Sequence, residues 1–259
     1  MVKCYVNIPE GQVHYQMDGS GKNLLLLHQS PLSSDEYADM IPVLAKSYRV
    51  VAMDTLGHGN SDNPPREYEI EDFARSVISF LDALGISKTS IVGHHTGASI
   101  AVEVAATHPE RVDKLILSGC AVWEPEEWQA FLSRPMTRDF KMTEDGQFLT
   151  KTWERYGSLI TRPEPELWFK PFIIALKSRT KPYDAHFAAA RYNIKPRLHL
   201  IKSPTLLISG RQDLFINLLE STKTMIPQCT TKVIEGGGLF ICFEKPKEFA
   251  QAILDFLKN

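Results

Sequence analysis

Residues 91 to 99 read Ile91-Val92-Gly93-His94-His95-Thr96-Gly97-Ala98-Ser99. Apart from the central residue, they match the Gly-x-Ser-x-Gly pattern, which forms a strained strand-to-helix turn and lifts its central side chain above the end of a sheet. Gly93 and Gly97 supply the small residues that the turn requires, because the helix packs close to the strand. The central position holds His95 where the pattern has serine. The stretch therefore predicts an α/β scaffold that keeps this turn and lacks its usual nucleophile.

Composition and charge narrow the class of protein. The chain has 259 residues, of which 43% are hydrophobic, enough for one sizeable core. Its 29 basic and 31 acidic residues give a net charge of −2, which argues against nucleic acid as the main partner. We expect no membrane partner, because no stretch is apolar enough to span a bilayer and the N-terminus lacks a signal-peptide core. The widely spaced Cys4, Cys120, Cys229 and Cys242 are expected to be free thiols in the cytoplasm.

Strand-like runs alternate with helical patterns along most of the chain. The predicted strands are residues 2–8, 13–17, 23–28, 48–54, 89–93, 114–119, 205–210 and 232–236. The predicted helices are residues 35–46, 71–84, 96–107, 214–225 and 247–257. Strands separated by helices predict an α/β fold with a mostly parallel, twisted sheet flanked by helices.

The alternation breaks once, after the sixth predicted strand. The interrupting stretch is rich in proline, mostly helical in pattern, and contains the four tryptophans Trp123, Trp128, Trp153 and Trp168. Ligands of α/β sheets bind at the carboxyl ends of the strands, so a helical insertion here would form a cap over the site. The predicted division is a core of residues 1–122 and 197–259 and a cap of residues 123–196. Most cap rings are expected to form the cap's own core, with Trp123, Trp128 and Trp153 lining an apolar pocket.

Five motifs in chain order make the sequence resemble a capped member of the α/β-hydrolase fold superfamily. LLLLHQSP at 24–31 is similar to the His-Gly-x-Pro oxyanion loop, and DTLGHGNSD at 54–62 is similar to the Asp-x-x-Gly-x-Gly-x-Ser turn. The elbow follows at 93–97. SPTLLISGRQD at 203–213 carries the acid position, and GGGLF at 236–240 lies where the catalytic histidine normally stands. The superfamily includes hydrolases, lyases and cofactor-free oxygenases, so the resemblance implies the fold more firmly than the reaction.

The sequence departs from the family pattern at three functional positions. The elbow serine is His95, the catalytic histidine is Leu239, and the glycine after the oxyanion-loop histidine is Gln29. Only Asp213 remains of the usual Ser-His-Asp set, so the usual proton relay cannot form. Thr96 follows the elbow position, and we expect its backbone N–H, not its hydroxyl, to face an oxyanion.

The favoured hypothesis is that the imidazole has moved to the elbow. His95 projects farther than a serine oxygen into space that Leu239 vacates, where Asp213 would orient the ring and raise its basicity. With backbone N–H donors at Ser30 and Thr96, this dyad would abstract a proton or activate a water. Attack by the imidazole itself is less favoured because acyl-imidazoles are labile. The alternative is an inert His95 in a binding pocket.

Four other residues are assigned by their motifs. His28 is expected to fix the oxyanion loop beside the ligand, and Gln29 either offers its amide to a ligand or ties down the loop. Cys120 should face the cleft as an inert thiol, since no base is visible next to it. His58 is predicted to be structural within its turn.

No metal and no cofactor are predicted. His94 and His95 are adjacent, but their side chains should diverge at the turn and so cannot share a metal ion. No glycine-rich dinucleotide fingerprint follows the first parallel strand.

We therefore favour an enzyme that uses His95 and Asp213 on a small, apolar ester, lactone or ketone. The alternative is a non-catalytic small-molecule receptor or binding protein, because the superfamily also contains hormone receptors that have lost catalytic residues. A third possibility is a degenerate relative without a ligand. Retention of the acid, the elbow glycines and the oxyanion loop favours the enzyme. The substrate and the oligomeric state stay open.

Overall fold

The computed structural model describes residues 1–133, 143–161, 164–178 and 185–258. Its strands are β1 (Val2–Ile8), β2 (Gly11–Asp18), β3 (Asn23–Leu27), β4 (Arg49–Met53), β5 (Thr89–His94), β6 (Val112–Ser118), β7 (Thr205–Gly210) and β8 (Cys229–Ile234). They form one sheet in the order β1-β2-β4-β3-β5-β6-β7-β8. β2 is antiparallel to both β1 and β4, and the remaining pairs are parallel, which confirms the predicted sheet.

Helices cover both faces of the sheet. They are α1 (Ile41–Leu44), α2 (Ile70–Ala83), α3 (Thr96–Thr107), α4 (Pro125–Leu132), α5 (Gln147–Leu159), α6 (Pro165–Ser178), α7 (Ala185–Arg191), α8 (Lys195–Leu198), α9 (Leu219–Met225), α10 (Ile241–Glu244) and α11 (Pro246–Lys258). Within the ranges that the structure describes, no helix combines the length and the apolar character needed to cross a bilayer.

The predicted helix over residues 35–46 is wrong in extent. The chain forms a 3₁₀ turn at Ser34–Tyr37 and then only the four-residue α1. Pro42 lies in the first turn of α1, where its missing N–H and its ring prevent a continuous helix from running through residues 38–46. The turn nevertheless places Glu36 and Tyr37 in the interior, which matters for the site.

The central strands are apolar throughout because both of their faces are covered. Leu25 and Leu27 of β3 belong to the apolar cluster that includes Phe73 of α2. Leu24 and Leu26 belong to the second cluster, which includes Phe249 of α11. Successive residues of a strand point to opposite faces, so a continuous leucine run fills the core on both sides of the sheet.

Helices α4 to α8 lie between β6 and β7, which confirms a helical insertion after the sixth strand. Its described rings pack largely on one another: the Trp153 ring centroid is 5.6 Å from that of Trp168 and 5.3 Å from that of Phe172. The insertion is also fastened to the core, because the Tyr192 hydroxyl donates to Glu103 of α3 at 2.6 Å. The boundaries at residues 123 and 196 stay a prediction.

Candidate active site

The turn between β5 and α3 holds His95 in a strained conformation. Its φ is 48° and its ψ is −108°, a region that side-chain-bearing residues rarely adopt. The flanking glycines are required: a Cβ on Gly93 would lie 2.4 Å from the Gly97 oxygen, and a Cβ on Gly97 would lie 2.1 Å from the Leu27 oxygen. The fold therefore presents the His95 side chain at the carboxyl edge of the sheet.

His95 and Asp213 are in hydrogen-bonding contact. His95 Nε2 lies 3.0 Å from Asp213 Oδ2, and both side chains are largely buried. The other carboxylate oxygen, Oδ1, accepts the Phe215 N–H at 2.8 Å. That bond also turns the chain into a 3₁₀ turn at Ile216–Leu218, where the sequence predicted a continuous helix over residues 214–225.

The pKa of Asp213 lies below its ordinary value. Burial would raise this pKa, but the adjacent His95 and the Phe215 N–H outweigh burial. An ionised Asp213 can only accept hydrogen bonds, so His95 Nε2 carries the proton that it donates. In the neutral ring Nδ1 is then the basic nitrogen, and Asp213 is placed to stabilise the imidazolium that forms when Nδ1 takes a proton.

Gly119, which the sequence analysis missed, makes room for the His95 ring. It follows β6 with a φ of 61°, and a Cβ there would lie 2.4 Å from His95 Nε2. The ring therefore passes over the end of β6 to reach Asp213 beyond β7. Phe215 contacts the ring at a centroid distance of 5.2 Å. The sequence signal available for this role was a glycine directly after a strand, at the same edge of the sheet as the elbow. The significance of that glycine depends on where the His95 ring lies.

The oxyanion loop is tied down on both sides. His28 Nδ1 lies 2.9 Å from the Gln29 carbonyl oxygen, and His28 Nε2 accepts the Thr55 N–H at 3.1 Å. The Gln29 side-chain amide donates to the Leu239 carbonyl oxygen at 3.3 Å. In this structure Gln29 therefore ties the loop to the 236–240 segment, which is the second of its two predicted roles. Leu239 is partly buried against the apolar cluster of α11.

Thr96 and Cys120 are both buried, and their predicted roles facing an oxyanion and the cleft stay predictions. Thr96 is buried as the first residue of α3, at the helix end where backbone N–H groups have no partner within the helix. Cys120 is buried behind β6, and burial raises the pKa of its thiol to about 12. Such a thiol stays protonated at neutral pH and is a poor nucleophile.

The three predicted pocket tryptophans have different surroundings. The Trp123 ring packs edge-on against Phe215 at 4.9 Å, and Phe215 in turn contacts His95. Trp153 packs inside the cap, as described above. The side chain of Trp128 lies outside the described part of the chain. Among the three, the structure thus connects Trp123 to the site through one intervening ring.

His94 and His95 do not diverge as predicted. Their ring centroids are 4.7 Å apart in an edge-to-face contact, because the strained turn folds the second ring back over the first. Their bonded nitrogens nevertheless point to different partners: His94 Nδ1 lies 2.9 Å from Glu36 Oε1, whereas His95 Nε2 faces Asp213.

Glu36, His94 and Cys242 bring three ligand-type atoms within 4.8 Å of one another. The sequence spacing could not reveal this group, because its members come from three distant segments. Burial raises the pKa of Glu36 to about 8 and that of the Cys242 thiol further above its ordinary value, and it lowers the pKa of His94. All three groups are therefore uncharged at neutral pH, and we describe them as a buried hydrogen-bonded cluster.

The chain belongs to the α/β hydrolase fold family, whose model matches residues 22–246. It is 26% identical to the 2-hydroxy-6-oxo-6-(2'-aminophenyl)hexa-2,4-dienoic acid hydrolase of Metapseudomonas resinovorans, an alignment that covers 100% of this chain and 91% of the relative. It is 29% identical to a 2-hydroxy-6-oxononadienedioate/2-hydroxy-6-oxononatrienedioate hydrolase of Paraburkholderia phymatum, over 98% of this chain and 94% of the relative. Its relatives are thus hydrolases of the same fold.

Solved structures agree on the fold. The enol-lactonase from Burkholderia xenovorans LB400 superposes with a TM-score of 0.83, covering 99% of this chain and 100% of its own, at 21% identity. A thermophilic esterase from Thermogutta terrifontis superposes with a TM-score of 0.83 at 22% identity, covering 100% of this chain and 98% of its own. At these identities the likeness shows the shared architecture alone.

Proposed function

We propose that this protein is a hydrolase of a small, largely apolar ester, lactone or ketone, with His95 and Asp213 as its acid–base pair. The observation that carries the proposal is the 3.0 Å contact between His95 Nε2 and Asp213 Oδ2 at a strained elbow. Backbone strain of this kind is costly and persists where the surrounding structure enforces it, often at active sites. The pair also combines an imidazole with an ionised carboxylate that orients it.

The substrate class is supported by chemistry and by the relatives. Trp123 and Phe215 provide an apolar wall beside the His95 ring, which suits a ligand with a hydrophobic body. The relatives act on 2-hydroxy-6-oxo acids and one structural neighbour is an enol-lactonase, so carbonyl substrates are common to them.

The proposed hydrolytic step transfers a proton from water to His95 Nδ1. The resulting hydroxide oxygen attacks the carbonyl carbon, and the imidazolium is stabilised by Asp213. Negative charge develops on the carbonyl oxygen, where the backbone N–H groups of Ser30 and Thr96 donate hydrogen bonds. Collapse of this intermediate breaks the bond to the leaving group, which takes the proton from His95.

The test is turnover of a panel of esters, lactones and β-dicarbonyl compounds, with products identified by mass spectrometry. His95→Ala should lower kcat/KM by about 10²–10⁴-fold, the usual contribution of a general base. His199→Ala, which removes an exposed histidine just after α8, is the matched control and should retain full activity. Equal activity of wild type and His95→Ala would overturn the proposed role. Saturable ligand binding without product would instead favour the alternative of a receptor or binding protein.

A further inference from the structure

A second pair, formed by a serine and a histidine, lies at the same edge of the sheet as the His95–Asp213 pair. Ser30 Oγ and His58 Nε2 are 3.0 Å apart, and both side chains are buried. Ser30 belongs to the oxyanion loop after β3, and His58 belongs to the turn after β4. Because β3 lies between β4 and β5 in the sheet, Ser30 has His58 on one side and the elbow with His95 on the other.

The proton positions in this second pair follow from its partners. His58 Nδ1 lies 3.3 Å from the Leu56 carbonyl oxygen, which can only accept, so Nδ1 carries the proton. Nε2 is then the unprotonated nitrogen and accepts the hydrogen bond from the Ser30 hydroxyl. Thr55 Oγ1 lies 3.2 Å from His58 Nδ1 and 3.1 Å from His28 Nε2, which holds the ring of His58 in this orientation.

A buried carboxylate supplies negative charge to the turn that carries His58. Burial would raise the pKa of Asp54, but hydrogen bonds from His14, Ser34 and Asn60, together with the nearby His28, outweigh it and lower the pKa to about 2. The imidazole that this carboxylate contacts is that of His14, whose Nδ1 lies 2.7 Å from Asp54 Oδ2. Asp54 therefore anchors the turn that carries His58 by accepting the Asn60 N–H, and the Ser30–His58 pair itself supplies a nucleophile and a base with a fixed tautomer.

The cap extends over this edge of the sheet. Lys177 of α6 donates a hydrogen bond to the Asn60 side chain, in the same turn as His58. Lys170 of α6 pairs with Asp39 at 2.5 Å, just beyond the 3₁₀ turn that follows the oxyanion loop. Helix α6 of the cap is thus anchored both to the turn that carries His58 and to the segment that follows the oxyanion loop.

We propose that Ser30 is a covalent nucleophile of this site and that His58 is its general base. The inference rests on the proposed function for its substrate class, which here narrows to esters and lactones. Ser30 Oγ bonds to the carbonyl carbon while His58 Nε2 takes the hydroxyl proton. The bond between that carbon and the leaving oxygen then breaks, and the leaving oxygen takes the proton from His58. The product of this half-reaction is an acyl ester on Ser30.

The second half-reaction uses the pair already described. Water loses a proton to His95 Nδ1, and its oxygen attacks the carbonyl carbon of the Ser30 ester. The bond to Ser30 Oγ breaks, and Ser30 recovers a proton from His95 as the acid is released. Water is the only co-reactant, and no step needs an oxidant or a reductant.

The experiment is labelling of the full chain with an alkyl fluorophosphonate, which phosphonylates activated serines, followed by intact-mass measurement and peptide mapping. We expect one adduct per chain, on Ser30. Ser30→Ala should abolish the adduct, and His58→Gln should slow its formation by at least about 10²-fold, since the base is lost. Ser76→Ala, which removes a buried serine of α2 far from the site, should label like wild type.

Peptide mapping of the wild-type protein identifies the labelled residue even if a variant fails to fold. An adduct on any residue other than Ser30, or no adduct at a probe concentration that labels a serine esterase completely, would overturn the proposal.

A second measurement separates the two proposals. With a chromogenic ester, His95→Ala should accumulate the Ser30 acyl ester, whereas Ser30→Ala should not form it. A labelled Ser30 in a protein whose turnover is unaffected by His95→Ala would refute the proposed function and leave the nucleophile standing.

Discussion

His94 and His95 are consecutive residues with rings in contact, yet each faces a carboxyl group in a different state. His95 lies 3.0 Å from Asp213, whose pKa is below its ordinary value. His94 lies 2.9 Å from Glu36, whose pKa is raised to about 8. At neutral pH one histidine therefore faces an anion and its neighbour faces a neutral acid.

The difference comes from what surrounds each carboxyl group. Both are buried, which raises both pKa values. Asp213 has the His95 ring on one oxygen and the Phe215 N–H on the other, at 2.8 Å. Glu36 receives the Gln29 N–H at a longer 3.3 Å, and the charges near it do not offset its complete burial. The ionised carboxylate that contacts a ring at the elbow is therefore Asp213, and the ring that it contacts is His95, whereas His94 contacts a carboxyl group that stays protonated.

The largest expected effect comes from removing that charge. Asp213→Asn keeps the shape of the side chain, but the amide neither stabilises an imidazolium nor fixes the proton on Nε2 of His95. We expect kcat/KM to fall by about 10²–10⁴-fold, measured on whichever substrate the panel identifies. Asp113→Asn, at a surface carboxylate paired with Lys88, is the control and should leave kcat/KM unchanged. Unchanged turnover in Asp213→Asn would mean that the negative charge of Asp213 has no catalytic role.

Gly119→Ala tests whether the position of the His95 ring matters as much as its partner. The added methyl carbon would lie 2.4 Å from His95 Nε2, so the ring must move. A displacement near 1 Å should lower kcat/KM by about 10²-fold. Gly85→Ala is a matched control, since Gly85 also has a positive φ of 67° but no atom within 4 Å of the added carbon. Equal losses in both variants would assign the effect to backbone strain instead of to ring displacement.

These features differ in how far the sequence could predict them. The elbow and the sheet follow from local patterns, because the glycine spacing and the apolar runs are short-range signals. Asp213 could be assigned to His95 because its motif ends a strand at the same edge of the sheet. Glu36 could not be assigned to His94, since no motif marks it as a partner and the turn that carries it inward was predicted as part of a helix. The Ser30 contact with His58 also depends on the strand order, which the sequence did not specify.

The raised pKa of Glu36 predicts that the free energy of unfolding depends on pH. Its folded-state pKa of about 8 lies above the ordinary value of 4.5, so the folded state holds a proton that the unfolded state has lost. The contribution of Glu36 to stability is therefore fully present below about pH 4.5 and is lost as pH rises to about 8, by roughly 1.4 kcal/mol per pH unit. His94, whose pKa is lowered on folding, opposes this trend only below its ordinary value of 6.5.

Glu36→Gln should remove most of this dependence between pH 6.5 and 8. Wild type should lose about 2 kcal/mol of unfolding free energy over that range, and the variant should lose much less. Urea unfolding at the two pH values measures both. Glu110→Gln, at an exposed carboxylate, should follow wild type. Parallel pH profiles for wild type and Glu36→Gln would show that Glu36 is ionised in the folded protein, and the contrast with Asp213 would fail.

Cys242→Ala gives the smallest expected effect and shows which member of the buried cluster sets its pH dependence. Cys242 Sγ lies 3.7 Å from Glu36 Oε1 and 3.6 Å from His94 Nδ1, distances at which sulfur forms only weak hydrogen bonds. Removing the thiol should cost roughly 1 kcal/mol of unfolding free energy at every pH, mainly from lost packing. The pH slope should stay that of wild type, because the burial that raises the pKa of Glu36 remains. A flattened slope in Cys242→Ala would instead assign the pH dependence to the thiol.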